Sequence, residues 1–205
     1  GVLPTPGLPM AMRARGAARG LVVSASHNPW RDNGVKVFGP GGQKLNDDQE
    51  HALEARIAEL GGADPDGQGG LDGVPALDVR TLDGPQDYVD ELLVRFGHLD
   101  LSGMALAIDC AHGAASFTAE RVLTGLGASV TALFCEPDGQ NINDGCGSTH
   151  LGALADAVRG LDVLGGLAFD GDADRVLLVD AAGREANGDH MLGFLGGWLS
   201  GAGRL

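Results

Sequence analysis

The sequence predicts an α/β protein built as two α/β/α domains with mixed, mostly parallel sheets. Two observations support this prediction. Short apolar strands alternate with helices through the second half of the 205-residue chain, which is typical of a sheet covered by helices on both faces. Glycine contributes 35 residues, a share well above the usual ~7%. Such a glycine content indicates many tight loops between short elements.

The first part of the chain contains two predicted helices and two predicted strands. These are a helix at 8–19, strands at 20–25 and 35–39, and an amphipathic helix at 46–60. Asn46 is suited to cap the second helix, with Gln49 three residues later as in a capping box. Residues 61–76 are rich in glycine and proline, and they read as a linker or exposed loop.

The second part alternates regularly between the two kinds of element. The predicted helices are 85–96, 117–127 and 150–160, the predicted strands are 104–109, 128–134, 163–170 and 175–180, and one more helix starts within "GDHMLGFLGGWLSG". Only a short loop precedes strand 175–180, which therefore should pair antiparallel with the strand before it. Ligands of such sheets bind beyond the carboxyl ends of strands. The turn around Ser26 and the loop "DGDADR" each follow a strand.

Composition excludes several classes of function. The net charge of −14 argues against nucleic acid as a partner. No apolar run approaches the ~18–20 residues needed to span a bilayer, and the first residues do not have the pattern of a signal peptide. The three cysteines are odd in number and form no CxxC pair, which favours the reduced cytoplasm.

The charge is distributed unevenly along the chain. Residues 1–45 contain six basic residues against Asp32 alone, a net charge of +5, so the remaining residues carry −19. The electropositive part includes Ser26. A chance imbalance at the surface would look the same, but an anionic substrate would be attracted to this part of the chain.

The loop "DGDADR" presents carboxylates at alternate positions. Asp170, Asp172 and Asp174 would repel one another strongly, so we expect a cation among them, and an all-oxygen ligand set suits Mg²⁺ or Ca²⁺. A solvated acidic turn is the simpler alternative. A haloacid-dehalogenase-like phosphatase, with Asp170 as nucleophile, is another. It is disfavoured because Asp174 stands where that family usually has Thr or Val.

Ser26 raises the complementary problem. A serine hydroxyl is a weak nucleophile, and a phosphorylated serine brings nearly two negative charges that need a cation and basic neighbours. The acidic loop can supply the cation, and Lys36 and Arg175 can supply the positive side chains. The two loops are therefore expected to balance each other's charges.

Three stretches together resemble the α-D-phosphohexomutase superfamily. "SASHNP" is similar to its phosphoserine loop, "DNGVK" to the segment with a catalytic lysine, and "FDGDADR" to its metal-binding loop. "GVLPTPGLP", "DCAHGAAS" and "EPDGQNINDGCGSTHLGAL" further resemble bacterial members that act on glucosamine phosphates. One departure is Asn187, where those members typically have an acidic residue.

The resemblance implies a reaction and roles for residues. Glucosamine 6-phosphate and glucosamine 1-phosphate would interconvert through a 1,6-bisphosphate, with a covalent phosphoserine at Ser26. One Mg²⁺ would be held by that serine and the three aspartates. The further catalytic candidates are Lys36, which would neutralise charge, Arg175, which would support the phosphoryl oxygens or orient the aspartates, and His27 and Asn28, which would shape the loop. The partner would be a phosphorylated amino sugar, in the cytoplasm, without nucleic acid or membrane; a homodimer stays open.

The resemblance also implies a division of the chain. Residues 1–78 would be the later part of domain 1 of a four-domain enzyme, 79–184 domain 2, and 185–205 the opening helix of domain 3. These residues alone are expected to be inactive. The same chemistry on mannose or glucose phosphates is the nearest alternative, and a metal-binding module that has lost catalysis is the non-enzymatic one.

Overall fold

A computed structural model describes residues 1–59 and 79–204 of the chain. The predicted linker 61–76 and the last residue of the predicted helix 46–60 lie outside the described residues. Among the described helices, none combines the length and the apolar character needed to cross a membrane.

The first part consists of a strand pair with one helix before it and one after it. Its elements are α1 (Gly7–Arg15), β1 (Gly20–Ser24), β2 (Gly34–Phe38) and α2 (Asp47–Glu59). β1 and β2 pair antiparallel, with Ser24 opposite Gly34. The parallel pairing predicted for sheets of this chain is thus not found within residues 1–59, and it occurs only in the second sheet.

Local signals explain where these two helices begin and end. α1 ends at Arg15, not at residue 19 as predicted, because Gly16 adopts the left-handed conformation (φ 64°) that closes helices. The start of α2 is a capping box, as predicted. The Gln49 N–H donates to Asn46 Oδ1 at 3.0 Å, and the Asn46 N–H donates to Gln49 Oε1 at 3.1 Å.

The second part is a five-stranded mixed sheet in the order β4-β3-β5-β6-β7. Its strands are β3 (Ala105–Asp109), β4 (Ser129–Leu133), β5 (Gly165–Phe169), β6 (Val176–Asp180) and β7 (Glu185–Ala186). β3 pairs parallel with both β4 and β5. β6 pairs antiparallel with β5, which confirms the prediction from the short connecting loop. The two-residue strand β7 was not predicted.

Helices cover both faces of this sheet, which confirms the predicted α/β/α layering. The helices of this part are α3 (Gly84–Phe96), α4 (Ala119–Gly125), α5 (Gly152–Gly160) and α6 (Gly188–Gly201). Ala107 of β3 packs with Leu154 and Val158 of α5, whereas the next residue, Ile108, packs on the side of Leu123 in α4. Successive side chains of a strand point to opposite faces, so one strand contributes to both cores.

The start of α4 differs from the predicted residue 117, whereas α6 starts where the sequence predicts a further helix. α4 begins at Ala119, because a short 3-10 helix at Ala114–Phe117 precedes it. α6 begins after Asn187, whose side chain accepts a hydrogen bond from the His190 N–H at 3.1 Å. The residue that departs from the family pattern therefore caps a helix here.

Candidate active site

The turn after β1 and the loop after β5 meet at the junction of the two parts. Ser26 Oγ lies 3.4 Å from Asp170 Oδ2, although 144 positions separate the two residues. The Thr5 N–H also crosses the junction and donates to the carbonyl of Asp172 at 2.9 Å. The structure thus brings together the two loops that the sequence analysis singled out.

The loop after β5 gathers three carboxylates. Oxygens of Asp170, Asp172 and Asp174 all lie within 4.8 Å of one another, and the first two side chains are buried while the third is exposed. Asp170 Oδ1 accepts hydrogen bonds from the N–H groups of Asp174 and Arg175, both at 3.1 Å. These bonds wrap the backbone around the first carboxylate and turn the other two towards the same point.

Lys36 reaches the acidic loop from β2. Its ammonium lies 2.6 Å from Asp172 Oδ2 and 2.9 Å from Asp174 Oδ2. Partial burial lowers the pKa of Lys36, but the two carboxylates outweigh burial, and the net pKa is above its ordinary value. Burial likewise raises the pKa of Asp172, but the hydrogen bonds from Lys36 and Thr5 outweigh it, so this carboxyl has a lowered pKa. Both groups are thereby held in their charged forms.

Arg175 contacts Asp170, the other buried aspartate. Its guanidinium Nε lies 3.1 Å from Asp170 Oδ2, and its side chain is about half exposed. Burial nevertheless raises the pKa of Asp170, opposed by the hydrogen bonds from Arg175. Of the two roles considered for Arg175, the contacts match the orienting of an aspartate.

The predicted residues of the serine turn differ in what they touch. The side chains of His27 and Asn28 are exposed, and Asn28 joins the turn through its backbone N–H, which donates to the Ala25 carbonyl at 2.9 Å. Ser26 is partly buried and has a left-handed backbone, with φ 52°. The structure therefore brings Ser26, but not its two neighbours' side chains, to the acidic loop.

Two further residues of this site were missed by the sequence analysis. Thr5 donates from its hydroxyl to Asp172 Oδ2. Asn143 Nδ2 donates to the carbonyls of both Ser26 and Asn28, each at 2.9 Å. Thr5 and Asn143 lie in the stretches "PTP" and "NIN", but neither stretch indicates which distant residue its polar side chain contacts.

Glycines allow the backbones at the junction to approach closely. A Cβ on Gly171 would lie 2.5 Å from the Ser26 carbonyl oxygen. A Cβ on Gly113, in the loop after β3, would lie 2.7 Å from both C and Cα of Gly171 and closer still to its oxygen. Each of these contacts is with backbone, which cannot rotate away. The two glycines thus keep three loops in direct contact.

Most of the basic residues near Ser26 in sequence are engaged elsewhere. Arg15 pairs with Asp87 at 2.5 Å, and Lys44 pairs with Glu50 at 3.1 Å. Arg19 donates to the Ala18 carbonyl. Lys36 is the member of the electropositive segment that contacts the acidic loop, where it is paired with two carboxylates.

The donor set of the acidic loop fits a divalent metal ion. Asp172 Oδ1 is buried and has no hydrogen-bond partner among the described residues, and such an atom is costly unless it binds something. Three carboxylates offer only hard oxygen ligands, the type preferred by Mg²⁺. The residues present therefore fit the predicted magnesium ion.

Comparison with known families assigns both parts of the chain. Residues 1–62 match the model described as phosphoglucomutase/phosphomannomutase, alpha/beta/alpha domain I, and residues 86–183 match domain II of the same family. The chain belongs to the phosphoglucomutase/phosphomannomutase family. The expected membership of the phosphohexomutase superfamily is confirmed.

Individual relatives of the chain are phosphoglucosamine mutases. A phosphoglucosamine mutase from Deinococcus radiodurans is 48% identical over 192 residues, which are 94% of this chain and 42% of the relative. Another, from Desulforudis audaxviator, is 46% identical over 207 residues, which are 100% of this chain and 45% of the relative. The chain thus spans less than half the length of these relatives.

Solved structures of the family share the fold. A family member from Burkholderia thailandensis superposes with a TM-score of 0.75 at 26% identity, over 97% of this chain and 43% of that one. An N-acetylphosphoglucosamine mutase from Aspergillus fumigatus, solved in complex with GlcNAc-6P and magnesium, has a TM-score of 0.60 at 18% identity, over 98% of this chain and 52% of that one. The second likeness is one of fold alone.

Proposed function

We propose that the full-length protein containing this chain is a phosphoglucosamine mutase. It interconverts glucosamine 6-phosphate and glucosamine 1-phosphate through a phosphorylated Ser26 and a 1,6-bisphosphate. The observation that carries the proposal is the 3.4 Å approach of Ser26 Oγ to Asp170 Oδ2 within a cluster of three carboxylates. The 42–48% identity to phosphoglucosamine mutases supports the choice of substrate.

The reaction transfers one phosphoryl group in each direction. A free sugar hydroxyl attacks the phosphorus of phosphorylated Ser26, the bond from phosphorus to Ser26 Oγ breaks, and the proton of the sugar hydroxyl ends on Ser26 Oγ as the bisphosphate forms. After the bisphosphate reorients, Ser26 Oγ attacks the phosphorus of its other phosphoryl group, the bond from that phosphorus to the sugar oxygen breaks, and the seryl proton passes to the sugar oxygen. Catalysis of such transfers is mostly positioning and charge stabilisation.

The side chains around Ser26 have distinct parts in this proposal. The Lys36 ammonium, which reaches the acidic loop from β2, balances negative charge that develops beside the seryl oxygen. Arg175 holds Asp170 in place. His27 and Asn28 shape the turn that presents the serine.

The acidic loop would hold one Mg²⁺. Its ligands would be Asp170, Asp172, Asp174 and an oxygen of the phosphorylated Ser26. When bound, the ion supplies Lewis-acid stabilisation of charge on the transferring phosphoryl group.

The contacts of Asp170 argue against the phosphatase alternative. Its Oδ1 accepts two backbone N–H groups, and its Oδ2 faces Arg175 and Ser26. The Asp170 side chain is also fully buried, so a sugar phosphate has no approach to it as a nucleophile. Ser26, which is partly exposed, is the better nucleophile.

We extend the proposal to the organisation of the full-length protein. Residues 1–78 belong to its domain 1, 79–184 to its domain 2, and 185–205 begin its domain 3. The substrate is a phosphorylated amino sugar, and the protein works in the cytoplasm. The domain order is supported by the family models, which match residues 1–62 and 86–183, and by relatives that are more than twice as long as the matched segment.

The proposal is tested on the full-length protein by phosphopeptide mapping and coupled assays with glucosamine, mannose and glucose phosphates. We expect phosphate on Ser26 and fastest turnover of glucosamine phosphates. Ser26→Ala should lose activity by about a thousandfold or more, whereas Ser129→Ala, on β4, should not. Preferred turnover of mannose or glucose phosphates would overturn the substrate, and full activity of Ser26→Ala would overturn the mechanism.

A further inference from the structure

Asn143 links the second part of the chain to the serine turn. Its side-chain amide has two N–H donors, and Nδ2 lies 2.9 Å from the carbonyl oxygens of both Ser26 and Asn28. Both donors are therefore used on the same turn. The residue is buried, with 6% of its surface exposed, so water competes little for these bonds.

Asn143 is itself fixed to the sheet. Its backbone N–H donates at 2.9 Å to the carbonyl of Ala111, in the loop that follows β3. Its φ of 59° is left-handed, a conformation that asparagine tolerates better than most residues. The amide is therefore anchored at the carboxyl edge of the sheet, where β5 also delivers Asp170.

The serine turn needs such a support. Ser26 is held at φ 52°, which is costly for a residue with a side chain. Bonds within the turn, from the Ser26 N–H to Ser24 Oγ and from the Asn28 N–H to the Ala25 carbonyl, give it shape. They do not relate it to the acidic loop. Asn143 and the backbone of Gly171, on which a Cβ would meet the Ser26 carbonyl at 2.5 Å, supply that relation.

We infer that Asn143 is a positioning residue: its amide clamps the carbonyls of Ser26 and Asn28 and thereby sets the place of Ser26 Oγ relative to Asp170. The consequence for phosphoryl transfer rests on the proposed function. The clamp itself rests only on the contacts above. The hydrogen bonds described for Asn143 go to the carbonyls of Ser26, Asn28 and Ala111, so it acts through the turn.

Two substitutions in the full-length protein remove the clamp in different ways. Asn143→Asp keeps the shape but replaces the NH₂ group with an acceptor oxygen that faces two carbonyls. Asn143→Gly removes the side chain and suits the left-handed backbone. Asn141→Asp is the matched control, because Asn141 is in the same loop but its Nδ2 donates to the Glu136 carbonyl.

For both Asn143 variants we expect kcat to fall by about 10- to 100-fold, the scale of a misplacement near 1 Å, with KM for glucosamine 6-phosphate nearly unchanged. Amide hydrogen exchange in a peptide covering residues 24–30 should be faster than in wild type. Mg²⁺ affinity of the dephosphorylated protein, measured with the metal alone by calorimetry, should stay the same, because the three aspartates are unchanged. Asn141→Asp should change neither kcat nor exchange in that peptide.

The outcomes separate the two proposals. If wild-type protein has no mutase activity, the proposed function fails, and the exchange experiment alone decides on the clamp. Wild-type exchange in residues 24–30 of Asn143→Gly would overturn the inference. So would a wild-type kcat in both Asn143 variants of an active enzyme. If Asn143→Asp does not fold, Asn143→Gly provides the same two measurements.

Discussion

Gly113→Ala tests whether the close contact of the loops is needed for function. The new Cβ would lie 2.7 Å from C and Cα of Gly171. Carbon atoms pack at about 3.5–4.0 Å, so relief of the overlap requires the acidic loop to move by about 1 Å. The φ of Gly113 is −114°, which alanine adopts freely, so the effect is steric.

The magnitude follows from this displacement. Overpacking costs about 1–3 kcal/mol, and the bond from the Ala114 N–H to the Gly171 carbonyl at 2.8 Å would be strained, which adds roughly 1 kcal/mol. The free energy of unfolding should therefore fall by about 2–4 kcal/mol. Mutase activity of the folded enzyme should drop by about 100-fold, because the carboxylates move relative to Ser26.

The assay combines urea unfolding with steady-state kinetics on the full-length protein. Gly152→Ala is the matched control, because a Cβ there meets nothing within 4 Å. It should leave activity intact and change stability by no more than about 1 kcal/mol, in the stabilising direction. Our reasoning is refuted if Gly113→Ala behaves like this control.

Two further predictions concern buried groups. Burial raises the pKa values of the Cys110 and Cys146 thiols to about 12, so few of these thiols are deprotonated near neutral pH. When the native protein is labelled with iodoacetamide and the sites are mapped by peptide, Cys135 should be modified first. Rapid labelling of Cys110 or Cys146 would contradict this. The buried Asp109 carboxylate accepts hydrogen bonds from the N–H groups of Ala111 and Gly147, both at 2.8 Å. Asp109→Asn makes an NH₂ group face one of these donors, so it should lower the free energy of unfolding by about 1–3 kcal/mol. An unchanged urea midpoint would show that these bonds do not matter.

Local sequence predicts most of the elements and the chemical character of the site. Apolar runs mark each strand from β1 to β6, and the charges of Lys36 and the aspartates point to their pairing. The left-handed Gly16 shortened α1, and β7 has only two residues, too few for a pattern. The prediction of an element fails here because the backbone conformation of one residue ends the helix, or because a neighbouring strand induces a short strand.

The missed site residues depend on tertiary contacts. Thr5 lies 167 positions from Asp172, and Asn143 lies 117 positions from Ser26. A threonine or asparagine in a loop is by itself an ordinary turn residue. Only the packing of the two parts gives these side chains their partners, so no reading of local pattern could have identified them.

The ion pairs of Lys36 affect how the acidic loop responds to its surroundings. An ammonium shared by Asp172 and Asp174, with a guanidinium on Asp170, acts as an internal counter-ion for the loop. Its shape is therefore maintained by the chain's own charges. In the proposed mechanism a divalent ion would compete with Lys36 for two carboxylates, and the released ammonium would then be available to balance the charge of a phosphorylated Ser26.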